Sequence, residues 1–294
     1  MKVLVTGAKG MLGTDLCREL DAQGLEVCAT DIPEMDVRNP VQVRQEFDVC
    51  APELVLHLAA LTDVDACERE PEEAFRTNTI GTQNVALACQ SANIPMVYIS
   101  TISVFNGSKC EPYTEFDIPD PQSWYSRSKH EGEKIVERLL QRYYIVRAGW
   151  MFGGGREDKK FVAKIIELAQ ARSELKIVND KFGSPTFTRD FSRAIIRFSQ
   201  TGWYGVYHSV NTGEPCSRYE FAQKILEYAG ITTCRLIPVS SAQFPLPAPR
   251  PRMEAARNLH AELLGLDLMR PWSAALREYL LEVLPVSQPV RYKR

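Results

Sequence analysis

Three glycines at a spacing of three, Gly7, Gly10 and Gly13, stand between a short apolar run and a helical pattern. Ahead of them Val3-Leu4-Val5 reads as a buried strand. From Met11 onward, Met11, Leu12, Leu16 and Leu20 recur at helical spacing. Glycines at such a turn let the chain reverse tightly and let backbone N–H groups approach a pyrophosphate at the helix N-terminus, where the helix dipole adds attraction. Asp31 closes the second strand, 18 residues beyond Gly13. A carboxylate there accepts hydrogen bonds from the hydroxyls of an adenosine ribose. The plainer reading is an ordinary turn with a surface aspartate; position, spacing and carboxylate together favour a dinucleotide. Asp31 would repel a 2′-phosphate and Lys9 would attract one, so the expected cofactor is NADPH or NADH.

The alternation continues along the chain. Residues 27–30 read as a second strand, and Asn39-Pro40 as an N-cap with a first-turn proline that opens a helix to about residue 49. Residues 54–58 read as a third strand, 71–92 as one long helix, 96–100 as a fourth strand, 123–142 as a helix and 144–147 as a fifth strand. Repeated strand–helix–strand means parallel strands joined by crossover helices, and continuously apolar strands need cover on both faces. The fold class is therefore α/β, a doubly wound parallel sheet of the Rossmann kind with a smaller C-terminal lobe for substrate. After residue 150 the rhythm changes. Gly153-Gly154-Gly155 reads as a flexible turn, with helices near 159–171, 188–200, 217–229 and 273–284 and short strands near 175–178 and 206–210. Four prolines between Phe244 and Pro251 force an extended loop, and the tail after Pro285 reads as loose. The expected division is a dinucleotide-binding domain over 1–149, to which 187–213 returns, and a substrate-binding lobe from 150–186 and 214–294.

Composition narrows the function class. The 294 residues carry a net charge of −2, so nothing holds a nucleic acid by charge. No apolar run approaches the roughly 18–20 residues of a membrane span, and the opening run is too short for a signal peptide. None of the eight cysteines forms a C-x-x-C pair or stands beside a histidine at metal-ligand spacing. Reduced thiols acting as small apolar groups, a cytoplasmic location and no metal are the expectations.

Of eleven tyrosines, only Tyr125 has a lysine four residues on, Lys129. On a helix the two share a face, and a nearby ammonium favours phenolate. Such a tyrosine passes a proton to or from a carbonyl or alcohol oxygen, and Lys129 is placed to reach a nicotinamide ribose. Thr101 ends the fourth strand, at the carboxyl edge where doubly wound sheets bind ligands, and offers a hydroxyl to the same oxygen. The alternative is an exposed tyrosine–lysine pair and a strand-end cap. Glycine turn, strand-end hydroxyl and Y-x-x-x-K in this order are far rarer together than singly. An indole at Trp150 adds a flat face and one donor, although a core tryptophan would look the same.

With those residues in view, the chain resembles the extended short-chain dehydrogenases/reductases, and within them the dTDP-4-dehydrorhamnose reductase family. The likeness rests on Thr6 to Gly13, on Ala59-Ala60-Leu61-Thr62-Asp63-Val64-Asp65, on Tyr125 to Glu133, on Val146-Arg147-Ala148-Gly149-Trp150, on Gly183-Ser184-Pro185-Thr186 and on Arg250-Pro251. By that resemblance Gly7, Gly10, Met11, Leu12 and Gly13 lie along the cofactor phosphates, while Asp31, Asp36 and Val37 lie around the adenosine. Ala60, Leu61, Thr62 and Ile99 lie under the nicotinamide half. Tyr125 and Lys129 bind the ribose and act in catalysis with Thr101, and Val64, Thr101, Ile102 and Trp150 meet the sugar. The family commonly reads S-T-D-Y-V-F where this chain has Ser100-Thr101-Ile102-Ser103-Val104-Phe105, which alters two polar pocket groups. Some members dimerise through a magnesium ion near the place of Asp15, but no ligand set assembles here. The expectation is a monomer or homodimer.

The implied activity is NAD(P)H-dependent reduction of the 4-keto group of a nucleotide-linked 6-deoxy sugar, dTDP-4-dehydro-L-rhamnose to dTDP-L-rhamnose, in polysaccharide biosynthesis. The rivals are a nucleotide-sugar epimerase or dehydratase, which would keep its nicotinamide through the cycle, and a non-catalytic nucleotide-binding regulatory subunit. The lack of an acidic pair after Thr101 disfavours a dehydratase, and intact Tyr125 and Lys129 disfavour the subunit.

Overall fold

Alternate side chains of the first strand, β1 (Lys2–Thr6), point to opposite faces, and both faces are covered. Val3 and Val5 pack with Leu12, Leu16 and Leu20 of α1 (Met11–Ala22). Leu4 packs on the other side with Val43, Phe47 and Val85. The structure, a computed structural model, describes residues 1–155 and 158–283; the expected loose tail after Pro285 lies outside them.

β2 (Glu26–Thr30) leads to α2 (Pro40–Cys50), whose N-cap Asn39 accepts from the Val41 and Gln42 N–H groups at 3.0 and 3.4 Å. β3 (Leu54–His57) follows, then two short helices, α3 (Val64–Arg69) and α4 (Pro71–Phe75). The single helix expected over 71–92 is interrupted. Residues Arg76–Ile80 form a π-helical turn before α5 (Gly81–Ala92), for a reason given with the site below. β4 (Met96–Thr101), α6 (Trp124–Leu139) and β5 (Tyr143–Ala148) complete the first half.

The second half contains β6 (Trp150–Phe152), α7 (Phe161–Ala171), β7 (Glu174–Val178), β8 (Phe182–Gly183) and β9 (Pro185–Phe187). Next come α8 (Thr188–Ser199), β10 (Gly205–His208), β11 (Cys216–Ser217) and α9 (Arg218–Ala229). The last elements are β12 (Arg235–Val239), β13 (Met253–Glu254), α10 (Leu259–Leu263) and α11 (Trp272–Glu278). Five strands of the first half and β10 form one parallel sheet in the order β10-β5-β4-β3-β1-β2. Helix α8 packs beside α1 on one face, through Phe191, Ile195 and Phe198, while α2, α5 and α6 cover the other. A separate cluster, with Phe152, Phe187, Phe221 and Tyr279 at its centre, joins β6, β9, α7, α9 and α11. The sheet's carboxyl edge faces this second cluster, and the cleft opens there.

Two expectations change. Cys28 and Cys50 are joined by a disulfide, with Cα atoms 6.3 Å apart, because α2 returns its last residue to the middle of β2. The six other cysteines are free. Gly153-Gly154-Gly155 has positive φ throughout, yet it is anchored, since Gly154 N–H donates to the buried Asp15 carboxylate at 2.9 Å and Thr188 Oγ1 donates to the same oxygen. That engagement is what Asp15 does in this chain. Among the described residues no group of His, Cys, Asp or Glu forms a metal site, and no helix is long and apolar enough to cross a membrane.

Candidate active site

The glycine turn is closed as tightly as its spacing implied. Gly7 adopts φ +70°, and a Cβ there would stand 2.8 Å from the Ala59 nitrogen. A Cβ on Gly13 would collide with the carbonyl oxygens of Gly7 and Ala8. No side chain caps α1, so its opening N–H groups are left for an anion. Asp31 accepts the Lys9 N–H at 3.0 Å and the Ile32 N–H at 2.9 Å, which leaves lone pairs free toward the cleft. Lys9 Nζ pairs with Glu34 at 2.6 Å, and Asp36 is held by Arg38 at 2.7 Å. The Arg38 hydrogen bonds keep the Asp36 carboxyl below its ordinary range, against a smaller upward push from burial. These groups surround one cleft of about 1490 Å³, large enough for a dinucleotide and a second ligand together.

At the middle of the cleft β4 delivers Thr101, and α6 delivers Tyr125 and Lys129 on its inward face. Ser123 caps α6 by accepting the Ser126 N–H at 3.2 Å. Gly132 lets the helix lie directly on β4, since a Cβ there would strike the Tyr98 hydroxyl. Tyr98 in turn donates to the Lys129 carbonyl at 3.1 Å, and its ring lies 4.2 Å beneath the Lys129 ammonium. The π turn belongs to the same assembly. It carries Asn78 inward, where its amide oxygen accepts the Leu61 N–H at 2.7 Å and its nitrogen donates to the Leu61 carbonyl at 3.1 Å and to Ser128 Oγ at 3.0 Å. One side chain thus ties the loop after β3 to α6.

The protonation states differ from the expectation of an acidified phenol. Burial pushes Tyr125 up to about 12, and the Thr101 hydroxyl beside it pulls only partly in the other direction. Burial also lowers Lys129 to about 7, against the upward pull of Glu133. Desolvation outweighs the Tyr125–Lys129 attraction that the i, i+4 spacing suggested. The phenol therefore keeps its proton at neutral pH, the state a proton donor needs. Behind them burial favours a neutral Glu133, but bidentate hydrogen bonding to Arg147 at 2.7 and 2.9 Å overrides it and holds the carboxyl near 2.

Trp150 forms the next wall. Its indole N–H donates to Glu254 at 3.1 Å, a Cβ on Gly183 would strike its ring, and the Arg218 guanidinium lies 3.5 Å over its face. The other Glu254 oxygen accepts from Ser103 Oγ. Asp65, in the first turn of α3 beside Val64, accepts the Ala248 N–H at 3.1 Å and pairs with Arg250 at 3.0 Å, which pins the proline-rich loop to the cleft rim.

Every residue expected from the sequence to meet cofactor or sugar lines this cleft except one. Ile102 does not; it is buried with Val104, Phe105, Tyr113, Val210 and Met253, so its expected contact with sugar is corrected. The short 3-10 turn after Thr101 sends Ile102 into the core and Ser103 into the cleft. Asn78, Glu254 and Arg218 escaped the sequence reading, and Glu133 entered it only as the end of the Tyr125 motif, without a role. Glu254 sits in a two-residue strand 104 positions after its indole partner. The nearest signals were the Ser103 departure and the Arg250-Pro251 landmark.

Residues 1–284 match the family described as RmlD substrate binding domain. The chain is 39% identical over 282 residues to the spore coat polysaccharide biosynthesis protein SpsK of Bacillus subtilis (strain 168), covering 96% of this chain and 97% of that protein. It is 34% identical over 280 residues to a dTDP-4-dehydrorhamnose reductase of Mycobacterium tuberculosis (strain CDC 1551 / Oshkosh), covering 94% and 91%. The chain belongs to the dTDP-4-dehydrorhamnose reductase family. It is accordingly an oxidoreductase of the NAD(P)-dependent type. The solved structure of the family's Bacillus anthracis (str. Ames) member in complex with NADP superimposes with a TM-score of 0.92 at 38% identity, over 96% of this chain and 100% of that one.

Proposed function

We propose that the chain reduces the 4-keto group of a nucleotide-linked 6-deoxy sugar with NADPH or NADH, converting dTDP-4-dehydro-L-rhamnose to dTDP-L-rhamnose. The observation that carries the reading is the meeting of Thr101, Tyr125 and Lys129 in a cleft that runs on to the glycine turn. The uncapped start of α1 and the Asp31 carboxylate fit a dinucleotide. When bound, the nicotinamide supplies the hydride. Tyr125 Oη gives its proton to the ketone oxygen as that oxygen gains charge. The Thr101 hydroxyl donates to the same oxygen. The Lys129 ammonium stabilises the phenolate left behind and reaches the ribose. Trp150 and Val64 line the sugar's side of the cleft, and the division of labour is a dinucleotide-binding domain with a substrate lobe, as the sequence suggested. The homologues named for this reduction, and the one solved with NADP, support the choice of substrate and cofactor.

The test is a panel of nucleotide-linked 4-keto sugars, followed by loss of reduced-nicotinamide absorbance. A reductase consumes one NADPH or NADH per sugar and is silent without it. Conversion of sugar with no net nicotinamide consumption would instead mark an epimerase or dehydratase, and no conversion of any panel member would contradict the reading.

A further inference from the structure

The Arg218 guanidinium is a cation of the cleft that no carboxylate pairs among the described residues, as is the Lys159 ammonium nearby. Arg218 opens α9 and lies against two rings, 3.5 Å from the Trp150 centroid and 4.9 Å from that of Phe161. Among the described residues its side chain makes no hydrogen bond and no ion pair. The nearest opposing charge, Glu254, has its two oxygens engaged by Ser103 and Trp150. A second guanidinium, Arg250, is close enough to repel it but is itself paired with Asp65. Burial lowers Arg218 to about 10, offset in part by Glu254, so it is a full cation at neutral pH. The residue is half-buried, and its five donors, which no protein group engages, are open to a ligand of the cleft. The two rings engage the guanidinium through its π face or faces, which leaves its N–H donors for hydrogen bonding in the cleft that Arg218 lines.

The sheet order decides which anion. The glycine turn follows β1 and Asp31 follows β2, at one end of the sheet, while Thr101 ends β4 near the middle. Trp150 follows β5, beyond Thr101 on the side away from the glycine turn, and Arg218 packs against Trp150. An anion at Arg218 therefore enters with the second ligand and is not the cofactor's pyrophosphate. We propose that Arg218 is a specificity-determining residue that grips the diphosphate of the nucleotide sugar through its free N–H donors, with Trp150 and Phe161 holding the guanidinium plane in register. This rests on the proposed function in taking the second ligand as a nucleotide sugar. A planar fork suits paired phosphate oxygens, which a lysine meets only as a point charge.

The test titrates dTDP and thymidine into the full chain by calorimetry, for the wild type, Arg218→Gln and Arg218→Lys. The wild type is expected to bind dTDP far more tightly than thymidine. Arg218→Gln should weaken dTDP by roughly 10–100-fold and leave thymidine and NADPH unchanged. Arg218→Lys should restore part of the loss, and the KM for the 4-keto sugar should rise in the same order. Unchanged dTDP affinity in Arg218→Gln, an equal loss for dTDP and thymidine, or a wild type that does not distinguish them would overturn the assignment. The two readings fail separately. A wild type that binds dTDP through Arg218 but reduces no 4-keto sugar contradicts the proposed function alone, and a working reductase whose KM ignores Arg218 contradicts this inference alone.

Discussion

At the scale of single residues, the site depends on how burial sets two protons. Tyr125 is neutral to about 12, while Lys129 titrates near 7. Transfer from Tyr125 creates a phenolate, which the charged lysine stabilises and the neutral one does not. The kcat/KM for ketone reduction should therefore fall about tenfold per pH unit above roughly pH 7, since this ratio reports groups of the free enzyme. Lys129→Met should lower kcat/KM at least about 100-fold and abolish that limb. The same ionisation acts on stability with a definite sign. Lys129 binds its proton less readily folded, at about 7, than unfolded, at about 10.5, so stability should rise with pH between those values at up to about 1.4 kcal/mol per unit. Denaturant titrations of Lys129→Met should lose this slope and show higher stability at neutral pH. The Tyr125–Lys129 pairing was legible because i and i+4 share a helical face. The direction of the Tyr125 shift was not, because the sequence does not display the burial that outweighs a neighbouring charge.

At the scale of elements, α6 is fixed to the sheet by a charged pair rather than by apolar packing alone. Glu133 and Arg147 join α6 to β5, both buried, with the Phe105 ring beneath the guanidinium at 5.3 Å. Glu133→Gln leaves an uncompensated cation and should cost about 3–5 kcal/mol, measured by chemical denaturation. The carboxyl lies near 2 folded against 4.5 ordinarily, so its contribution is complete above about pH 4.5 and is lost as pH falls toward 2. The acid limb of stability should flatten in Glu133→Gln. Strands and long helices were readable from apolar runs and 3.6-residue spacing. The π turn was not, because its cause is the long-range demand of the Leu61 backbone on Asn78. The inward turn of Ile102 also escaped, since one short 3-10 turn exchanges the fates of adjacent residues.

At the scale of the whole molecule, the cleft lies between two packed clusters, and a few polar ties hold its rim. Asp65–Arg250 is such a tie, joining α3 to the proline-rich segment across 185 positions of sequence. Both side chains are partly exposed, so Asp65→Asn should change global stability by less than about 1 kcal/mol. It should nonetheless accelerate amide exchange through residues 244–251, read by hydrogen-exchange mass spectrometry. The parallel sheet could be inferred from local pattern, but β10's place beside β5 and the Glu254 contact with Trp150 arise from chain segments far apart in sequence.

The most direct test of the account is Tyr125→Phe, which removes one hydroxyl and leaves the ring. Single-turnover reduction of dTDP-4-dehydro-L-rhamnose should fall at least about 100-fold, while calorimetric affinity for NADPH stays within about threefold. Near-wild-type turnover in that variant would contradict the assignment of Tyr125 as proton donor, and with it the chemistry built on this cleft.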